Sequence, residues 1–185
     1  MRQRDVVFVV DVSKSLEKHM ATMVALMKAV VQGLSFKYDR TRVAFVTFAG
    51  APDTRFHLDE YTSQRDVLNA VSLSDLGEGT DIAAALQHAK DDVFSASKGD
   101  RALVDNILIL LSDGRATLNS GRTEQAATET KNDDIEVYTV VIGDSIGVDT
   151  MNKIASSPQT SYAYSIREKT QADAVAGRML DQLCT

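Results

Sequence analysis

The chain has almost no cysteine, no surplus of basic charge and no long apolar run, and each shortage removes a class of function. A single cysteine, Cys184, stands among 185 residues. No internal disulfide can form, and no neighbouring histidine suggests a catalytic pair. Cys184 reads either as an incidental residue near the end or as half of a bridge to a partner outside this stretch in a secreted parent. Lys and Arg number 20 against 26 Asp and Glu, for a formal net charge of −6. Nucleic acid is therefore not an expected partner, since its binding rests on basic residues neutralising phosphates; attraction of cations is. No apolar run approaches the ~20 residues of a membrane span, so membrane insertion is not expected. The opening MRQRDVVFVVDVS passes from a short apolar run straight into DVSKS, which reads as a first strand and not as a signal peptide. Met1 reads as a start supplied at a domain boundary.

Signatures of catalysis and nucleotide binding are missing too. There is no GxxxxGK[ST] loop and no G-x-S-x-G elbow. Gly77-x-Gly79 lacks a third glycine and follows a loop instead of a strand. Read as a calcium loop, DVSKS would need glycine at its sixth position, which is Leu16. His19, His57 and His88 fall on different segments, unlike the spaced pairs of zinc sites. Lys14, the candidate to assist a nucleophilic Asp11, alternates with serines and turns outward. An enzyme is not expected. Lys98-Gly99-Asp100 looks like an integrin-recognition tripeptide, but between a helix and a strand it reads as a helix stop.

What is present is an alternation of strand and helix. Apolar content of 44% and charged content of 25% are those of a soluble globular protein, and the length suits one domain, 1–185. Continuous apolar runs at 5–10, 42–48, 106–111 and 135–142 read as strands buried on both faces. Gly50, Pro52 and Asp53 read as a turn leading to a short antiparallel edge strand, 54–58, and 161–165 reads as a weak edge strand. Helices are expected from Leu16 to about Phe36, from the cap Ser63 over SQRDVLNAV, from Asp81 to about Ala96, and over 122–132, 150–156 and 170–183. The expected fold is α/β, a three-layer α/β/α Rossmann-like arrangement with a mostly parallel central sheet. The first strand should lie near the middle, with 106–111 beside it.

That topology gathers five oxygen-bearing side chains at one sheet edge, outside the carboxyl ends of the strands. They are Asp11, Ser13 and Ser15 of DVSKS, Thr80 of GEGTD and Asp113 of LLSDG. Acceptors at alternate positions let Asp11, Ser13 and Ser15 point the same way. Thr80 stands where a helix begins, as a cap residue does, and Gly114 allows a sharp turn after Asp113. Singly, each fragment is an ordinary turn or cap; together they form a hard-oxygen set for Mg²⁺, with Mn²⁺ or Ca²⁺ as alternatives, and not one for zinc or copper. Two carboxylates balance a divalent ion and leave coordination positions that a partner's carboxylate can complete.

These motifs, with VVFVVDVSKS, TRVAFVTFAG, GTDIAAAL, NILILLSDG and IEVYTVVIGD in the same order, resemble the von Willebrand factor type A domain with its metal-ion-dependent adhesion site (MIDAS). The resemblance implies divalent-cation-dependent binding of a protein ligand. It implies a place outside the cell as one domain of a larger matrix protein, with collagen or another donor of an acidic side chain as partner. Intracellular relatives that partner AAA-type ATPases share the fold, and form the alternative. Extracellular members often pair a cysteine before the first strand with one at the C-terminus; only Cys184 is present here.

Overall fold

All eight residues of the first strand, β1 (Arg4–Asp11), are buried, so it must lie in the interior of a sheet covered on both faces. The structure, a computed structural model, describes residues 2–144 and 147–183, and Cys184 lies outside them. The other strands are β2 (Thr41–Phe48), β3 (Pro52–Phe56), β4 (Asp105–Ser112), β5 (Ile135–Ile142) and β6 (Ala163–Ile166). They form one six-stranded sheet in the order β3-β2-β1-β4-β5-β6. Every pairing is parallel except β2 with the edge strand β3. This is the three-layer, mostly parallel arrangement expected, with β1 and β4 side by side.

Alternation along each strand divides the core in two. Val6, Phe8, Val10, Ile107, Ile109 and Leu111 face helices α1 (Met20–Gly33), α2 (Gln64–Ala70) and α7 (Ala172–Leu183). Val7, Val9, Leu108 and Leu110 face α3 (Ile82–His88), α4 (Thr123–Asn132) and α5 (Val148–Ile154). Each of these fully buried apolar side chains contributes roughly 1.5–3 kcal/mol. A one-residue slip of β1 would exchange its two sets and is strongly disfavoured.

Several boundaries differ from those expected. Pro52 and Asp53 open β3 instead of ending a turn; the chain reverses over Ala49–Ala51, whose ends share a 3.3 Å hydrogen bond. Proline is tolerated there because the first residue of an edge strand can lack its N–H. The expected helix from Leu16 to Phe36 begins as a tighter 3₁₀ turn, Lys14–His19, and its α-helical part stops at Gly33, where Leu34 turns extended. The expected third helix is α-helical only to His88 and widens into a π-turn over Ala89–Val93. Helix α5 starts two residues early, and α6 (Gln159–Tyr162) occupies the start of the expected last strand. Lys98-Gly99-Asp100 does end a helical turn, Ala96–Lys98, with the Gly99 N–H bonded to Ala96 O at 3.4 Å.

Candidate metal centre

Register brings the two aspartates together. Val10 of β1 lies level with Leu111 of β4, so the next residues, Asp11 and Ser112, adjoin at the carboxyl edge and Asp113 follows. Ser112 Oγ donates to Asp11 Oδ2 at 2.7 Å, and the Ser13 N–H donates to Asp11 Oδ1 at 2.9 Å. Asp11 is wholly buried. Burial pushes its carboxyl above the ordinary value; the Ser112 and Ser13 hydrogen bonds oppose this, and the nearby charge of Asp113 adds to it. The charged form is thus under-compensated by the chain alone.

From Asp11 a chain of hydroxyls leads to the second carboxylate. Ser13 Oγ and Ser15 Oγ are 3.1 Å apart, and Ser15 Oγ donates to Asp113 Oδ2 at 3.0 Å. Asp113 Oδ1 accepts from the Arg115 N–H at 3.0 Å, while the Gly114 N–H is bonded to Ser112 Oγ at 3.1 Å. Gly114 is required here. Its φ is +77°, and a Cβ would lie 2.5 Å from the Gly147 carbonyl oxygen, so backbone packs directly on backbone behind Asp113. Lys14 turns away from the serines, as its position between them implies, and pairs with Glu78.

Thr80 is placed differently from the expectation. It does not cap the helix; Asp81 does, with Oδ1 accepting from the Ala84 N–H at 2.9 Å. Thr80 sits one residue earlier, with its N–H donating to Thr117 Oγ1 at 2.8 Å and its carbonyl accepting from the Thr117 and Leu118 N–H groups. Those bonds use its backbone and leave its side-chain hydroxyl uncommitted among the described residues. Its loop is tied to the site through Gly77, whose N–H donates to Val12 O at 2.9 Å and which bridges Ser13. No hydrogen bond joins Thr80 to Asp11, Ser13, Ser15 or Asp113 among the described residues, whereas those four form one connected network.

Sequence reasoning missed Ser112, Thr117 and Asp81. Ser112 had a signal, a hydroxyl closing the apolar strand NILILL beside Asp113. Thr117 had none, because it reaches Thr80 across 37 positions. Among the described residues no three His, Cys, Asp or Glu side chains gather to hold a metal. The donors assembled here are instead two carboxylates and hydroxyls, all hard oxygens, and buried Asp11 has no ion-pair partner among the described residues. This set fits a small divalent cation.

A family model described as von Willebrand factor type A domain matches residues 5–178. The chain is 26% identical over 188 residues to human Matrilin-3, a match covering 99% of this chain and 38% of that protein. It is 26% identical over 178 residues to the human Collagen alpha-6(VI) chain, covering 94% of this chain and 8% of that one. The chain thus spans less than half the length of these relatives. Among solved structures it is similar to proximal thread matrix protein 1 from the mussel byssus with a zinc-occupied MIDAS motif. That match has a TM-score of 0.84 and 25% identity, and covers 99% of this chain and 46% of that one. A second crystal form of the mussel protein, at 20% identity, superimposes with a TM-score of 0.89 over 99% of this chain and 48% of that one, and speaks to the fold alone.

Proposed function

The chain belongs to the von Willebrand factor type A domain family, and from that premise we propose that residues 1–185 are a single binding domain, not an enzyme, that holds a divalent cation at a complete MIDAS. Asp11, Ser13, Ser15, Thr80 and Asp113 supply the donors. The observation that carries this reading is the network running from buried Asp11 through Ser13 and Ser15 to Asp113. It presents two carboxylates and two hydroxyls at one sheet edge, from the end of β1, the turn after it and the turn after β4. A bound divalent ion supplies a Lewis-acidic position that a partner's carboxylate can occupy. This chain's part is to fix the donors: Ser112 orients Asp11, the Gly114 turn orients Asp113, and Thr117 sets the Thr80 backbone.

Mg²⁺ is the proposed ion, with Mn²⁺ and Ca²⁺ as close alternatives, because every donor is an oxygen and only two carry charge. The mussel neighbour's motif is zinc occupied, so zinc belongs in the same titration. The proposed partner is an extracellular matrix protein, collagen or another protein presenting an acidic side chain, and the proposed setting is one domain of a larger secreted protein. The matrilin and collagen relatives support that setting.

Calorimetric titration of the chain with Mg²⁺, Mn²⁺, Ca²⁺ and Zn²⁺ tests the site. Wild type is expected to bind, and Asp11→Ala to lose binding. Equal affinity in both proteins would remove Asp11 from the site and overturn the reading.

A further inference from the structure

Beside Asp113, three segments line a recess of about 130 Å³. The 3₁₀ turn Lys14–His19 contributes Ser15, Lys18 and His19; the turn after β4 contributes Asp113 and Arg115; the end of β5 contributes Asp144. The walls are held in place. Gly143 has φ +80°, and a Cβ on it would lie 2.8 Å from His19 Nε2, so the imidazole packs on bare backbone at the end of β5. Arg115 is fixed at its base by its N–H bond to Asp113 Oδ1, while its Nε stands 3.9 Å from Asp113 Oδ2 and the side chain is 49% exposed.

Of the two cations in this recess, Arg115 stands within ion-pair distance of Asp113 and Lys18 is uncommitted among the described residues. Lys14 on the same turn is paired with Glu78, but Lys18 makes no ion pair among the described residues. With a divalent ion offsetting Asp11 and Asp113, the charged side chains left lining the recess among the described residues are Lys18, Arg115 and Asp144. That leaves a positive excess in a chain whose net charge is −6. An anion held at the metal position would therefore have a cationic pocket directly beside it.

We propose that this recess is a second anion subsite. A ligand that gives one carboxylate to the ion seats a second against Lys18 and Arg115, so the preferred partner is an acidic peptide with two Asp or Glu side chains close together. The proposal rests on the metal-dependent reading above and refines its ligand class. Arg115 supplies a planar donor fork suited to a carboxylate. Lys18 supplies a mobile point charge.

The test uses small acids as probes. Succinate and glutarate are titrated into the chain at saturating Mg²⁺, each beside its own monoamide, which keeps the length and removes one charge. The dicarboxylates are expected to bind roughly tenfold more tightly than their monoamides, the gain of a partly exposed charge-assisted contact. Lys18→Gln is expected to narrow that ratio, and Lys18→Gln with Arg115→Gln to bring it close to one. Lys14→Gln, on the same turn but paired with Glu78, is expected to leave the ratio as it is. Equal binding of acids and monoamides by wild type, or a ratio unmoved in the double variant, would overturn the second subsite and leave the metal site standing. Failure of every acid to bind the Mg²⁺-loaded chain would overturn the metal-dependent reading itself, and the subsite with it.

Discussion

Replacing Arg101 by alanine is expected to destabilise the chain by about 3–5 kcal/mol, because it strands a buried charge. Asp5, on β1, is wholly inaccessible to solvent. Its Oδ1 accepts from Arg101 Nε at 2.9 Å and Nη2 at 2.6 Å, and its Oδ2 accepts from the Arg101 backbone N–H at 2.9 Å. The same guanidinium donates to the carbonyls of Arg4 and Asp39, and so ties the starts of β1 and β2 to the loop before β4. Burial pushes the Asp5 carboxyl above its ordinary value, and the hydrogen bonds and charge of Arg101 hold it back. Alanine keeps only the backbone donor, so the folded-state value rises further above that of the unfolded chain. For a carboxyl raised on folding, stability falls as pH rises from the unfolded value through the folded one. The deficit of Arg101→Ala should accordingly be largest at neutral pH and shrink on acidification, as Asp5 takes up a proton in the native state. Urea denaturation of both proteins at pH 7 and pH 5 measures this directly, and Asp5→Asn combined with Arg101→Ala should recover part of the loss at pH 7. A deficit below ~1 kcal/mol, the same at both pH values, would refute the reasoning, since that is the size of an exposed pair.

Gly114→Ala is expected to lower stability by about 2 kcal/mol or more, because a side chain is strained at φ +77° and its Cβ meets Gly147 backbone. Since that turn carries Asp113, calorimetry should show weakened Mg²⁺ affinity alongside the lower melting temperature. Leu103 is fully exposed with φ 66°, so Leu103→Asn should raise stability by about 1 kcal/mol in thermal unfolding by relieving a left-handed residue. Asp11→Asn removes a buried charge from the ion-free chain, which should melt higher than wild type under chelator. Added Mg²⁺ should then stabilise wild type by linkage, about 2.7 kcal/mol at a hundredfold excess over Kd, and leave the variant unmoved.

The central sheet was legible because its strands are apolar on both faces. The run DVVFVV cannot sit at an edge, and its position beside NILILL follows from the same property. Once those two strands adjoin, Asp11 and Asp113 share an edge without further information. The boundaries set by contacts distant in sequence were not legible. Thr80 looked like a helix cap because threonine favours that place, but Asp81 takes it, its second oxygen accepting from Asn119 Nδ2 at 2.5 Å. Nothing local to GEGTD announces a partner 38 positions on. Pro52 looked like a turn residue because proline so often is, and only the pairing of β3 with β2 shows it opening an edge strand. The recess of Lys18, His19 and Arg115 is assembled from separate loops, none of which carries a pattern of its own.

Electron–nuclear double resonance on the Mn²⁺-loaded chain, with acetate labelled with ¹³C at the carboxyl carbon, tests most directly whether this edge holds an ion with a position open to a partner's acid. The expected result is a ¹³C coupling of the size of a directly bound carboxylate, appearing as acetate is added, with Asp11→Ala showing no bound Mn²⁺ at the same concentrations. Mn²⁺ bound without any ¹³C coupling at saturating acetate, or bound equally by Asp11→Ala, would contradict it.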